Sequence, residues 1–482
     1  MSLSSAIYAA RSGLQVSSLR AEIVATNVAN ATTPGYVRRS VTLSETVLGG
    51  RTAGVASDGI ARIADTQIKA QRRELTSDVA QASVLSSTWS AISARIGNTA
   101  AGDGLFKTYS NFETALARAV TSPESPAVAA SLLEAARGIT TELNNLSDMV
   151  TTQRAEADRE IADGVGIVNA ALKSIESLNT RLAGINRNTG EAAALFDERQ
   201  RVLDTIAEYV PIQTVDRDSG TIDVLTSEGV FLVAGKAREI QFTPSAAFGP
   251  DISLADGELS GLTVDGLDVT PGAASFGAVS GGLFGALFTL RDTDLPNLSA
   301  QLDTIAGDLI GRLSDDAIDP TKTPGDPGLF IDSDPAAGPG IAGRISLNAA
   351  VDPSQGGQLS RLRDGIGAAA AGPPGYSGFL QGMFNAFTSI NAMNTNGFMG
   401  AFSSNELVAQ LTSMTGQKRI QHEAVMSSTQ TQHAIMMEAE QNTTGVDIDA
   451  QLQDLMLIEQ AYAANARVIE VASQMIKLLM EL

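Results

Sequence analysis

Few side chains in this sequence are suited to chemistry, and their spacing limits what they can do. There is no cysteine among 482 residues. That excludes a disulfide framework, a thiolate zinc site, an iron–sulfur cluster and a cysteine nucleophile. The two histidines, His422 and His433, would share a helix face but stand roughly 16 Å apart along its axis. They are too far apart to ligate one metal and read as ordinary surface histidines. The acid pairs Asp315–Asp316 and Asp332/Asp334 fall in loop-like sequence. Solvated carboxylates are expected there; calcium at the Asp332 loop is the sharper reading, without EF-hand spacing. Gly338-Pro339-Gly340-Ile341-Ala342-Gly343 spells G-x-G-x-x-G. A Pro-rich loop precedes it and a strand-like run follows, whereas a dinucleotide site needs a strand before and a helix after. P-loop, G-x-S-x-G and H-E-x-x-H patterns do not occur. No catalytic, cofactor-binding or metal-ligating residue is assigned, and an enzyme is not expected.

The informative motif positions backbone rather than reactants. Asn27-Val28-Ala29-Asn30-Ala31-Thr32-Thr33-Pro34-Gly35-Tyr36 closes a helical pattern. Pro34 disfavours the α region at Thr33. Thr33-Pro34-Gly35-Tyr36 has the type II turn arrangement, with Gly35 supplying φ > 0. Asn30 is suited to bonding nearby backbone at the helix end. The motif predicts a stiff exit from a terminal helix into an extended segment starting at Tyr36.

Both ends carry an apolar stripe. Leu3, Ile7, Ala10, Leu14, Ser17, Ala21, Val24 and Val28 alternate spacings of four and three, and so do Leu455, Ile458, Tyr462, Asn465, Ile469, Ala472, Ile476 and Leu479. This is coiled-coil spacing. Residues 1–45 carry a net charge of +2 and residues 445–482 a net of −4. Opposite signs favour pairing, but exposed charges contribute only tenths of a kcal/mol per pair, so apolar burial must dominate. A two-helix pair leaves its outer faces wet, and neighbouring molecules are the expected cover. Ala6, Ala9, Ala25 and Ala29 lie off the seam and would permit close approach.

Between the ends, the period is mostly helical. One helix is predicted over Leu75–Ile96, closed by Gly97–Asn98, and another over Leu105–Val120. Ser125–Asn186 reads as one long or once-broken helix. From Pro211 the pattern changes to short alternating runs, Ile212–Val215, Ile222–Leu225, Val230–Val233 and Ile240–Phe242, separated by turn signals. That predicts a separate small β domain. Residues 319–358 read as a loop region with short strands, and helices return from Phe379, interrupted near Gly397, Gly400 and Gly445. The expected fold class is mainly α with a β insertion (α+β), elongated and nested. Its parts are a terminal helical pair (1–45 plus 445–482), a helical bundle (46–208 plus 279–444) and a β-rich insert (209–278).

The composition narrows the partners. The net charge is −21 and 43% of residues are apolar. Acidity of this size argues against binding a nucleic-acid backbone. No apolar run is long enough for membrane insertion, and Met1–Ala10 lacks the basic start of a cleavable signal peptide.

Asn27-x-x-Asn30 with Thr33-Pro34-Gly35-Tyr36 resembles the N-terminal signature of bacterial flagellar rod, hook and hook-associated proteins. Glu459-Gln460-Ala461-Tyr462-Ala463-Ala464-Asn465-Ala466-Arg467-Val468-Ile469 resembles their C-terminal signature. In the middle, Leu195-Phe196-Asp197-Glu198-Arg199-Gln200-Arg201-Val202-Leu203 and the stretch from Gly281-Gly282-Leu283 through Leu290-Arg291-Asp292 to Leu295-Pro296 resemble the hook-associated members. Those members often read Asp-Gln-Arg-Asp where this chain has Asp197-Glu198-Arg199-Gln200. The resemblance implies a structural, non-enzymatic protein at the junction of hook and filament, exported uncleaved through the flagellar type III channel; the alternative is a hook or distal rod protein. It implies as partners copies of the chain itself, hook protein, hook-associated protein 3 and an export chaperone on the C-terminal helix. Assembly contacts are expected at Leu3, Ile7, Leu14, Asn27, Asn30, Pro34, Gly35 and Tyr36, and at Tyr462, Asn465, Ile469, Ile476 and Leu479.

Overall fold

The computed structural model describes residues 3–48, 51–100 and 102–480. The first helix, α1 (Leu3–Ala29), is followed by a turn and a long antiparallel ribbon, β1 (Arg39–Leu48) and β2 (Arg51–Arg62). Arg39 pairs with Arg62, and the register shifts after Thr42 and after Thr46. The sequence reading expected only an extended segment here. Its domain boundary at residue 45 falls within this ladder.

Four helices make the body's frame. α2 (Thr66–Ile96) starts on Asp65, whose carboxylate accepts the N–H groups of Gln67 and Ile68, and ends where Gly97 takes φ 93°. α3 spans Gly104–Thr121. α4 (Pro126–Ala183) is one unbroken helix, with Ser125 capping and proline in its first turn. Its 58 residues make it roughly 87 Å long at 1.5 Å per residue. α5 (Gly190–Tyr209) is capped by Thr189.

Short strands follow. β3 (Ile212–Asp216), β4 (Ile222–Thr226), β5 (Phe231–Ala234) and β6 (Lys236–Ala237) form one antiparallel meander; β7 (Ile240–Gln241), β8 (Thr263–Val264) and β9 (Leu267–Asp268) form another. These sheets do not enclose a core of their own, as a separate domain would. Val224, Leu232, Val233, Ile240 and Val264 share one core with Ile161, Val168, Leu172 and Ile175 of α4. The strands are too short to bury two faces and use the long helix as their second layer.

The chain returns through α6 (Gly282–Thr289), a π-helical turn at Leu290–Asp294 and α7 (Leu295–Leu313). The region 319–358 holds β10 (Phe330–Asp332), α8 (Ile341–Arg344) and β11 (Ile345–Leu347), with β10 and β11 paired. After α9 (Arg361–Asp364) and α10 (Gly378–Thr388), β12 (Asn391–Thr395) and β13 (Phe398–Phe402) make a tight hairpin about Asn396 and Gly397, both at positive φ. α11 (Ser404–Thr444) opens on a capping box of Ser403 and Glu406, and α12 (Ile448–Met480) closes the described chain.

α4 is the spine. Leu132, Ile139, Leu143 and Leu146 enter a large helical core with α3, α7 and α10; Ile161 to Ile175 enter the core shared with the sheets; Leu178 and Leu182 pack on α5. The π-turn points Arg291 into the second core, where it is fully buried. It pairs with Asp158 at 2.6 Å and with Asp292, and lies 4.5 Å over the Phe288 ring. The fold is mainly α with a β insertion.

Candidate assembly interface at the paired termini

Helix α1 meets α12 along one side and the β1–β2 ribbon along another. Small residues allow the close approach. A methyl group on Gly13 would strike the Asn465 side chain, and one on Gly54 would strike Ser12 Oγ. Ser12 Oγ also accepts the Val55 N–H at 3.2 Å.

Asn27 locks this arrangement. It is 1% exposed and uses its full capacity of two donors and two acceptor sites. Its Nδ2 donates to the Arg39 carbonyl (2.9 Å) and to Gln451 Oε1 (2.7 Å). Its Oδ1 accepts from the Tyr36 hydroxyl (2.8 Å) and the Arg39 N–H (3.0 Å). One amide thus ties α1, the turn, the ribbon and α12 together. The turn has the expected form: Gly35 sits at φ 75° and the Tyr36 N–H donates to Thr33 O at 3.1 Å. Asn30 donates to Thr26 O and accepts from Thr33 Oγ1. Burial pushes the Tyr36 phenol above its ordinary pKa, and the Arg39 guanidinium pulls it partly back.

The residues expected to make assembly contacts therefore separate into two kinds. Asn27 is buried inside the chain, so its described partners are intramolecular. Asn30 and Tyr36 are half-buried, while Pro34 and Gly35 are exposed. Leu3, Ile7, Leu14, Asn465 and Ile469 are half-buried about the α1–α12 seam. Tyr462, Ile476 and Leu479 are exposed. Ala6 and Ala9 are half-buried; Ala25 and Ala29 are exposed.

α12 carries a broad apolar face beside a narrower polar strip that includes Asp449, Glu459, Arg467, Glu470 and Lys477. Ile458, Ala472 and Gln451 are its buried residues. Leu452, Leu457, Val468, Val471, Met475 and Leu478 are open, besides the stripe, and Leu457 and Leu479 are 60% and 67% exposed. Monomeric proteins seldom leave so long an apolar face open to water.

Charge joins the termini to the body. Asp197 of α5 pairs with Arg39 (3.1 Å) and Arg62 (2.6 Å). The Arg38 N–H donates to Thr444 O at the end of α11, and the Ile60 N–H to Asn188 O. Gln200 donates to Asp204 at 3.1 Å. Sequence reasoning missed Gln451, Arg39 and Arg62 as members of this joint; only the fold brings them to Asn27 or Asp197.

The other sequence candidates are used internally. Gly340 and Ala342 give their N–H groups to Asp303, so a carboxylate already holds the donors that a phosphate cradle would need. Asp332 is bound by Arg344, and Asp316 by Lys322. The histidines are half-buried contacts rather than ordinary surface groups, and both face α2. His422 stacks on Trp89, and His433 Nε2 lies 3.0 Å from Thr76 Oγ1. Burial lowers both pKa values.

Comparison with known proteins agrees with this architecture. A family model described as the flagellar hook-associated protein FlgK helical domain matches residues 93–316. Another, described as a flagella basal body rod protein, matches residues 7–36. Together they cover a little over half of the chain. Flagellar hook-associated protein 1 of Salmonella typhimurium is 26% identical over 319 residues, covering 63% of this chain and 55% of its own. The Salmonella typhi protein of the same name matches equally. The chain thus spans about half the length of these two relatives in the match. Flagellar hook-associated protein 1 of Bacillus subtilis is 20% identical, covering 97% of this chain and 96% of that one. The solved structure of the flagellar hook junction protein FlgK from Burkholderia pseudomallei is 18% identical with TM-score 0.44, covering 55% of this chain and 47% of that one.

The matches set a rod-protein type of N-terminal helix and turn ahead of a hook-associated type of helical body, the combination of a structural flagellar protein. Within that class the chain is similar to the flagellar hook-associated protein FlgK family over residues 93–316.

Proposed function

We propose that the chain is a structural subunit of the bacterial flagellum that forms the junction between hook and filament. It polymerises through its terminal helices after export through the flagellar channel. The observation that carries this reading is the C-terminal helix, whose apolar surface α1 covers on one side only. Neighbouring copies, hook protein on one side and hook-associated protein 3 on the other would bury the remainder. Before export a chaperone would shield the same helix. The body needs no partner to complete its cores, so it would fold as the outer part of the subunit. No described helix is long and apolar enough to cross a membrane.

A deletion strain viewed by electron microscopy tests the assignment. Intact hooks without attached filaments are expected; loss of hooks would favour the hook or distal rod alternative. Complementation with Leu479→Asp should give folded, exported subunits that fail to join the flagellum. Normal filaments from that variant would count against the role of α12.

A further inference from the structure

The joint between ribbon and body gathers cations in a strongly acidic protein. A cavity of about 820 Å³ opens between β2, α2, α5 and β3. Arg62, Lys69, Arg73, Arg187 and Arg199 line it. Lys69 and Arg73 are only 3% and 6% exposed. Neither Lys69 Nζ nor Arg73 Nε makes a hydrogen bond.

The nearby carboxylates are already committed. Asp197 serves Arg39 and Arg62. Asp204 and Glu440 both bind Arg72, at 2.6 and 2.5 Å. They stand 3.8 Å from Arg73 Nε and Lys69 Nζ respectively. Arg199 Nη1 donates to the neutral acceptors Asn179 Oδ1 and Gly220 O. Glu74 and Asp216 also line the cavity, but both are exposed. Asp197, Asp204 and Glu440 are thus shared among Arg39, Arg62, Lys69, Arg72 and Arg73, and none of the three pairs with Arg187 or Arg199 among the ion pairs of the described residues. A buried cation without a hydrogen-bonded counter-charge is costly, and folds retain one chiefly where an anion answers it.

We propose that this cavity is an oxyanion site, in which Lys69 and Arg73 bind a carboxylate or phosphate group from the inner wall while Arg62 and Arg199 hold it from the sides. The oxyanion is either a free solute or an acidic side chain of a neighbouring copy. Lys69 also borders the smaller cavity behind Tyr36, so an anion held here would stiffen the joint between the paired termini and the body.

The test uses the full-length protein, with inorganic phosphate as probe against sodium chloride at equal ionic strength. Thermal melts follow the wild type, Lys69→Met, Arg73→Met and the exposed control Arg159→Met. In chloride, Lys69→Met should melt at or above the wild-type temperature, because it removes an uncompensated buried charge. If free oxyanions bind, phosphate raises the wild-type and Arg159→Met midpoints by several degrees and leaves Lys69→Met and Arg73→Met unmoved. If a neighbour's carboxylate is the ligand, phosphate leaves the monomer unmoved. Self-association by sedimentation then weakens at least tenfold in Lys69→Met and Arg73→Met but not in Arg159→Met. The proposal is overturned if phosphate and chloride act alike on the monomer and all variants associate as the wild type does. It is equally overturned if Lys69→Met melts well below wild type in chloride, since Lys69 would then be a structural partner of Glu440.

Discussion

The body and the paired termini satisfy the same physics by different means. In the body, side chains from α3, α4, α7 and α10 close an apolar core, and beside the second core the fully buried guanidinium of Arg291 is matched by Asp158 and Asp292. At the termini, one buried amide holds four partners together, while the helix it secures shows most of its apolar surface to water. The body's cores close within the chain. The termini are aligned but not covered. A subunit that must fold by itself and then join a lattice needs both conditions, and they lie in different parts of the sequence.

The largest expected effect breaks the body. Arg291→Met leaves the buried Asp158 and the half-buried Asp292 without their cation and should cost about 4 kcal/mol. Urea titration should show an earlier transition for the whole body, with the turn at Pro34–Gly35 unaffected.

At the joint between the regions the expected effect is a pH dependence. Burial, reinforced by Arg62, lowers Lys69 to about 8 from an ordinary value of 10.5. Between those values the unfolded chain binds more protons than the folded one, so stability rises with pH through that window, by at most about 3 kcal/mol. Denaturant midpoints at pH 7 and pH 10, compared with Lys69→Met, should reveal a gain that the variant lacks.

Asn27→Ala sharpens the contrast from the other side. It strands the Arg39 N–H, the Tyr36 hydroxyl and Gln451, at a cost of about 2 kcal/mol. Because Asn27 touches only the termini, proteolysis should release α12 faster while the melting of the body stays unchanged.

The smallest effect concerns the α2–α11 contact. His422 and His433 have lowered pKa values. Below about pH 6.5 the unfolded chain takes up protons first, so acidification should weaken this contact slightly. His433→Gln should remove part of that loss in melts between pH 5 and pH 7.

Long periodic helices were legible in the sequence because an apolar stripe needs no knowledge of the partner. α4 is the clearest case, unbroken where the pattern allowed one break. The Pro34–Gly35 turn was legible too, because proline and glycine constrain their own dihedrals. Two hairpins went unread although their signals are local. Val41, Leu43 and Val47 alternate with Ser40, Thr42, Ser44 and Thr46, and Asn396–Gly397 is a strong two-residue hairpin turn. The Asn27 knot was only half legible. The sequence marks Asn27 and Tyr36 through their motif, but Gln451 lies 424 residues away from Asn27 and carries no periodicity of its own. Nor does composition show which side chain a neighbouring strand will cover, as the ribbon covers Asn27.

Amide hydrogen exchange on the free subunit and on the same protein incorporated into flagella addresses the difference between termini and body directly. Residues 448–480 should exchange readily in the free subunit and become strongly protected on incorporation, while the centre of α4 is protected in both. Equal, strong protection of 448–480 in the free subunit would show that the C-terminal helix needs no neighbours, and would contradict the account.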